Sequence, residues 1–311
     1  LDKVSVIIPV YFNADVLNET HSVLSAILQK NSNKFDYEII YVDDGSKDNS
    51  YEILQKLAEN DNKTKVIKLS KNHGAYVAIL TGMNYASGDA VVFLAADLQD
   101  PPELIPQMYD NWIEGKKKDL ILCVRKSRKD PFISKIFSAI FYKIFRALVL
   151  PEYPETGFDL CMINKNQAKI LVDMDEKNSH LTVQIIWLGF GKRYIFYDRR
   201  ERKHGKSKWT FFKRVKLAFD TFFGFSARPL RIASLIGMIT WVPALLLAIY
   251  ILIRKFTEGA PLFGIPLIIA VIFVTGGLIL LSIGIIGEYL WRNFDATRKR
   301  PTFIVEETKN I

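Results

Sequence analysis

Four polar clusters recur in this 311-residue chain, each just after a short apolar run. They are Pro9, Tyr11, Asn13 and Asp15; Asp43, Asp44, Gly45, Ser46 and Asp48; Asn72, His73 and Gly74; and Asp97, Leu98, Gln99, Asp100, Pro101 and Pro102. Carboxylates dominate them. A carboxylate repels a diphosphate unless a divalent cation lies between the two, so such a set calls for Mg²⁺ or Mn²⁺ bridging to a nucleotide diphosphate. The usual backbone cradles for phosphate are missing: no GxGxxG follows the first apolar run, and no GxxxxGK[ST] occurs anywhere. Two basic sets stand apart, Arg125, Arg128, Lys129, Lys135 and Ser138, and a glycine-hinged run of Arg200, Arg202, His204, Gly205, Lys206, Ser207 and Lys208.

For the four clusters to act together, a scaffold must gather the ends of separate apolar runs. Runs rich in Val and Ile, expected as strands over Val4–Val10, Tyr37–Val42, Lys65–Leu69, Ala90–Ala95 and Leu120–Val124, alternate with helical patterns over Leu17–Lys30, Ser50–Glu59, Gly74–Ala86 and Pro102–Gly115. That alternation predicts an α/β fold, a mostly parallel, doubly wound, Rossmann-like sheet. In such sheets the ligand lies beyond the carboxyl ends of the strands, where the four clusters fall. The same residue types suit plainer tasks: Asp-Asp-Gly-Ser can cap the next helix, and Asp100 before two prolines suits a helix start.

In order and spacing, VSVIIPVYFNAD, YVDDGSKDNS, KNHG and AADLQDPPEL resemble the family 2 inverting glycosyltransferases of the GT-A fold over roughly the first 110 residues. TGFDLCMINK, residues 156–165, together with two apolar C-terminal segments, resembles the polyisoprenyl-phosphate glycosyltransferases. This group includes the dolichol phosphate mannose synthases and bacterial prophage-type glucosyltransferases that load undecaprenyl phosphate. The resemblance implies a UDP-hexose donor, glucose as the first choice, and a polyprenyl phosphate acceptor. It implies that Pro9, Tyr11, Asn13, Asp15 and Asn72 shape the nucleotide pocket and that Asp43 or Asp44 bonds the uracil imide or the ribose. Asp97 and Gln99 would hold the metal, Asp97 being catalytic in that sense, and Ala95 stands where many relatives carry a second Asp. Arg125, Arg128, Lys135 and Ser138, with Arg200, Arg202, Lys206 and Ser207, would receive the acceptor's phosphate, a task that suits arginine's two-pronged fork. Asp159 would be the general base. A phosphate monoester has its second pKa near 6, however, and barely needs deprotonating, so Asp159 is equally read as a positioning group.

Roughly 22 uncharged residues separate Arg231 from Arg254, and roughly 29 separate Glu258 from Glu288. Either stretch can cross a hydrocarbon core of about 30 Å. The expected layout is a GT-A domain over 1–205, an amphipathic juxtamembrane helix over 206–229, transmembrane helices over 230–254 and 262–291, and a tail over 292–311. Phe132 to Leu148 reads as an interfacial helix. Lys and Arg crowd the flanks of the two apolar stretches, and no basic-then-apolar leader opens the sequence, so the expectation is a multi-pass inner-membrane protein with its catalytic domain and both termini cytoplasmic. The net charge of +9 suits anionic lipid and phosphate, and no nucleic-acid motif appears. Gly276, Gly277, Gly284 and Gly287 permit close helix approach and a homo-oligomer. Cys123 and Cys161 read as core thiols. Two rivals carry weight: a processive synthase, whose Q-x-x-R-W stretch is missing, and a catalytically silent nucleotide-binding membrane scaffold, suggested by Ala95.

Overall fold

The computed structural model describes residues 1–126, 142–143, 145–147, 149–155, 157–176, 180–200, 265–298 and 300–311, with scattered positions between 231 and 257. Arg128, Lys129, Lys135, Ser138, Arg202, Lys206, Ser207 and the segment 206–229 lie outside the described residues. The chain divides into two units, Leu1–Leu217 with Pro301–Ile311, and Ala218–Arg300.

In the first unit the elements run β1 (Lys3–Val10), α1 (Ala14–Lys30), β2 (Asp36–Asp43), α2 (Ser50–Asn60), β3 (Thr64–Leu69), α3 (Ala75–Tyr85), β4 (Ala90–Phe93), α4 (Leu104–Glu114) and β5 (Leu120–Arg125). They continue with β6 (Leu160–Asn164), α5 (Lys165–Asp173), α6 (Leu181–Trp187), β7 (Lys192–Tyr197) and β8 (Val305–Lys309). The eight strands form one sheet in the order β7-β5-β6-β4-β1-β2-β3-β8. β1 is central and covered on both faces, which is why Val4, Val6, Ile7, Ile8 and Val10 are all buried. Helix α1 buries Val16, Leu17, Thr20, Leu24 and Leu28, a stripe of period near 3.6. Cys123 and Cys161 are buried free thiols on β5 and β6.

β1 pairs in parallel with β2 on one side and β4 on the other, so the strand order reverses there. β2 and β3 are parallel, as are β5 and β7, while β6 runs antiparallel between β4 and β5. One edge of the sheet therefore gathers the carboxyl ends of β1 to β5 and β7, together with the entry into β6. The sequence pattern locates the first five strands and four helices but not β6, β7 or β8, and β4 ends at Phe93 rather than Ala95.

The tail expected over 292–311 is partly sheet. β8 pairs antiparallel with β3, Val66 opposite Lys309 and Leu69 opposite Val305. The Tyr51 hydroxyl donates to Glu307 of this strand at 2.6 Å, and Asn310, just after it, donates to the Ala58 and Thr64 carbonyls at 2.7 and 3.0 Å. An edge strand needs only one backbone partner and is commonly charged, so VEETK carries no apolar alternation to reveal it. Phe145, expected in an interfacial helix, is buried in this unit and packs edge-on against Tyr153, ring centroids 5.3 Å apart.

At the opposite edge, Glu38 is 2% exposed and accepts from Ser5 Oγ at 2.6 Å and from the Ser87 amide and hydroxyl at 2.7 and 2.8 Å, with Lys3 and Lys65 Nζ at 2.9 and 3.0 Å. Burial alone would raise its pKa, but these donors outweigh it and hold the carboxyl at about 2, below the ordinary 4.5. A depressed folded-state pKa contributes stability above the unfolded value and loses it as pH falls toward the folded one. Glu38→Gln is expected to cost about 3 kcal/mol at neutral pH, with the gap to wild type closing between pH 4.5 and pH 2 in thermal unfolding.

In the second unit, α7 (Ile265–Thr297) is one continuous helix of 33 residues. Its Val274–Thr297 stretch, mean hydropathy 1.6, is the one described helix long and apolar enough to cross a membrane. Side chains such as Ile272, Leu280 and Ile283 are exposed along it. Of the first expected span, 230–254, only scattered residues are described, and these are helical, so a second transmembrane helix is not established. A Cβ added at Gly276, Gly277, Gly284 or Gly287 would meet nothing within 4 Å.

Candidate active site

The β1 cluster folds back on itself. Asn13 opens α1, but its Oδ1 accepts from the Tyr11 amide at 2.9 Å, while Ser46 Oγ accepts from the Phe12 amide at 3.1 Å and Ser50 Oγ from the Asn13 amide at 3.0 Å. These bonds hold Phe12 in the left-handed region, φ 54°, and knit the first two clusters together. Pro9 is half-buried at the end of β1. Asp15 is exposed in the first turn of α1, where a carboxylate complements the helix dipole.

Asp43 and Asp44, interchangeable in the sequence, are not equivalent in space. Asp44 spends both oxygens on backbone amides at the start of α3, His73 at 2.6 Å and Gly74 at 2.8 Å. It therefore ties the β3–α3 loop to β2. Asp43 is fully buried; Oδ2 accepts from the Ser46 amide at 3.3 Å, and Oδ1 has no partner among the described residues. Burial raises its pKa, so a donor at Oδ1 would relieve an uncompensated carboxylate. Gly45, φ 68°, lets this loop press on its neighbour, since a Cβ there would sit 2.6 Å from the Lys71 carbonyl carbon. Asn72 is exposed beside it. His73 Nε2 is buried with no described partner, and burial lowers the pKa of its imidazole.

Asp97 and Gln99 form a tight turn after β4, with the Gln99 amide donating to Asp97 Oδ1 at 3.2 Å and Leu98 at φ 51°. One carboxylate and one amide oxygen do not make a closed cation site, and among the described residues no three His, Cys, Asp or Glu side chains converge on one. The donor set does fit a hard cation whose remaining ligands are water and diphosphate oxygens, the way Mg²⁺ is usually held.

Asp100 is not a helix-start residue: α4 begins at Leu104, and Asp100, 2% exposed, accepts from the Tyr197 hydroxyl at 2.6 Å and pairs with Arg199 at 3.1 Å. Burial raises its pKa. Arg125, at the end of β5, forms a two-pronged pair with Asp159, Nε to Oδ2 and Nη2 to Oδ1, the latter at 2.6 Å. Arg200 reaches Glu103 at 2.9 Å, and its amide donates to the Gln99 carbonyl at 2.9 Å. Tyr197 and Arg199 escape a reading of the sequence because Tyr197 ends, and Arg199 follows, KRYIFY, an edge strand with weak alternation. The only signal is their place immediately before the basic run at Arg200.

The model of the family described as "Glycosyl transferase family 2" matches residues 5–171, more than half of the chain. The chain belongs to glycosyl transferase family 2. The matched span takes in all four strand-end clusters, Arg125 and Asp159, and the mixed α/β unit with its mostly parallel sheet is GT-A-like. This family 2 chain is a glycosyltransferase, which sets aside the silent scaffold. It is 34% identical over 308 residues to the "Uncharacterized glycosyltransferase YkcC" of Bacillus subtilis, covering 99% of this chain and 94% of that protein. It is 28% identical to the "Prophage bactoprenol glucosyl transferase homolog" of Escherichia coli, covering 99% of each. Among solved structures, the Pyrobaculum calidifontis mannosyltransferase PcManGT in complex with GDP-Man and Mn²⁺ aligns at 17% identity and a TM-score of 0.44, covering 93% of this chain and 87% of that one.

Proposed function

We propose that this glycosyltransferase moves a hexose, glucose foremost, from its UDP ester to undecaprenyl phosphate with inversion, at the cytoplasmic face of a membrane. The observation that carries the reading is one sheet edge that gathers Asp43 and the Asp97–Gln99 turn, which we read as the nucleotide half, with Arg125, which we read as the acceptor half. Whole-length relatives described as bactoprenol glucosyl transferases supply the acceptor class. Asp43 Oδ1 accepts from the uracil imide or a ribose hydroxyl, in a pocket shaped by Pro9, Tyr11, Asn13, Asp15 and Asn72. Asp97 and Gln99 hold Mg²⁺ or Mn²⁺, which when bound neutralises the charge of the departing diphosphate. Arg125 and Arg200, joined by Arg128, Lys135, Ser138, Arg202, Lys206 and Ser207, receive the acceptor's phosphate.

A phosphate oxygen, already ionised near neutral pH, attacks the anomeric carbon as the bond to UDP breaks. Alignment and charge stabilisation then supply the catalysis, and no proton has to be removed.

Chain topology supports a second crossing. Both flanks of the Ala218–Arg300 unit belong to one folded body, because β8 is hydrogen-bonded to β3. A bilayer crossed by α7 must therefore be crossed an even number of times, and the uncharged run between Arg231 and Arg254 is the segment to do it. Self-association through the α7 glycines belongs to the same reading, and chemical crosslinking in membranes decides it.

The deciding assay offers radiolabelled UDP-glucose, other UDP-sugars and GDP-mannose with undecaprenyl phosphate, with and without divalent metal. Label from UDP-glucose in the organic-extractable lipid, dependent on metal, is the expected result. Label from GDP-mannose alone would make the protein a mannose synthase-type enzyme, and no transfer from any donor would sink the reading.

A further inference from the structure

Behind the Arg125–Asp159 pair lies a chain of contacts that the proposed reaction does not use. The Tyr197 hydroxyl sits 2.6 Å from Asp100 Oδ1 and 3.4 Å from Asp159 Oδ2, so one hydroxyl stands between two carboxylates. Arg199 flanks Asp100 at 3.1 Å, and Arg125 closes the far end on Asp159. Arg199, Asp100, Tyr197, Asp159 and Arg125 thus form a line of two cations and two carboxylates joined by a neutral hydroxyl. Its members come from the β4–α4 loop, the ends of β5 and β7, and the entry into β6, which meet only because β6 runs antiparallel between β4 and β5.

The line is charge-balanced. Both Asp159 oxygens accept N–H groups from Arg125, and moving a proton onto Asp159 would break a charge-assisted fork. Arg125 uses Nε and one N–H of Nη2 in that fork. The other N–H of Nη2 and both on Nη1 point elsewhere in the guanidinium plane, the set with which arginine grips a phosphate.

We propose that Tyr197 is a positioning residue: bridging Asp100 and Asp159, it fixes the angle of the Asp159 carboxylate and so aims the Arg125 guanidinium at the acceptor's phosphate. Asp159 in this arrangement orients a cation and accepts no proton. The inference rests on the reading of Arg125 as an acceptor-phosphate ligand.

Steady-state kinetics of full-length Tyr197→Phe, Asp159→Asn, Arg125→Ala and the Tyr197→Phe/Asp159→Asn double variant, with UDP-glucose and a short-chain prenyl phosphate as the probe, test it. Tyr197→Phe is expected to raise the acceptor KM roughly tenfold while leaving the donor KM within about twofold, which also reports an intact nucleotide half. The double variant is expected to match Asp159→Asn alone, because both act through one cation. Asp159→Asn should keep the wild-type shape of its pH–rate profile, the limb near pH 6 coming from the acceptor itself. Loss of that shape in Asp159→Asn would make Asp159 a base and overturn the proposal. An unchanged acceptor KM in Tyr197→Phe, or equal rises in donor and acceptor KM, would reduce Tyr197 to a packing role. An unchanged acceptor KM in Arg125→Ala would instead remove the acceptor reading itself.

Discussion

Asp97→Ala is expected to lower kcat/KM for glycosyl transfer by on the order of 10³-fold, the scale lost when charge stabilisation of a leaving group is removed. The expectation is this large because no cluster of His, Cys, Asp or Glu among the described residues could take over the cation. Ala95 stands two residues earlier, and among the described residues no further acidic, thiol or imidazole groups complete a cation site. Within the turn the substitution removes the acceptor of the Gln99 amide, a structural loss that an unfolding curve reads separately from the rate. Initial rates across a series of Mg²⁺ and Mn²⁺ concentrations, beside a thermal unfolding curve, make the measurement. An Asp97→Ala enzyme within tenfold of wild type, with an unaltered metal requirement, would remove Asp97 from the proposed metal site.

Asp43→Ala is expected to raise the KM for the UDP-sugar roughly 10- to 100-fold with a smaller change in kcat. A hydrogen bond to a charged group contributes about 1.5–3 kcal/mol, and one made equally in ground and transition states appears in KM. Its neighbour supplies the control. Asp44→Ala leaves the His73 and Gly74 amides without their acceptor, so the expected loss is in stability, about 1–3 kcal/mol by thermal unfolding, more than in donor affinity. If the two variants exchanged phenotypes, the division of labour drawn from their hydrogen bonds would be wrong.

Much of this fold can be read along the chain because its signals are local. VSVIIPV and YEIIYV are apolar on both faces, as parallel strands covered by helices must be, and Asp, Asn and Gly follow where each chain run must turn. The expected β1, β2, β3 and β5 agree with the observed strands to within a residue or so at each end. The strand-end clusters therefore announce a sheet edge lined with carboxylates, and the ordered motifs announce the family.

What the sequence leaves open depends on partners far away along the chain. Asp43 and Asp44 are adjacent and chemically identical; only the approach of the His73–Gly74 amides consumes one and leaves the other. Asp100 resembles a helix start until Tyr197, 97 residues away, claims it. β8 returns from beyond α7 to cover β3 with a charged segment whose pairing is all backbone. Membership of the family, the parallel core and the gathering of the polar clusters at one sheet edge were determined by the sequence itself, through local periodicity and turn residues. Which carboxylate keeps an oxygen without a described partner, which one holds a loop and which one grips Arg125 were decided by tertiary structure, because a carboxylate's role is set by the donors folded against it.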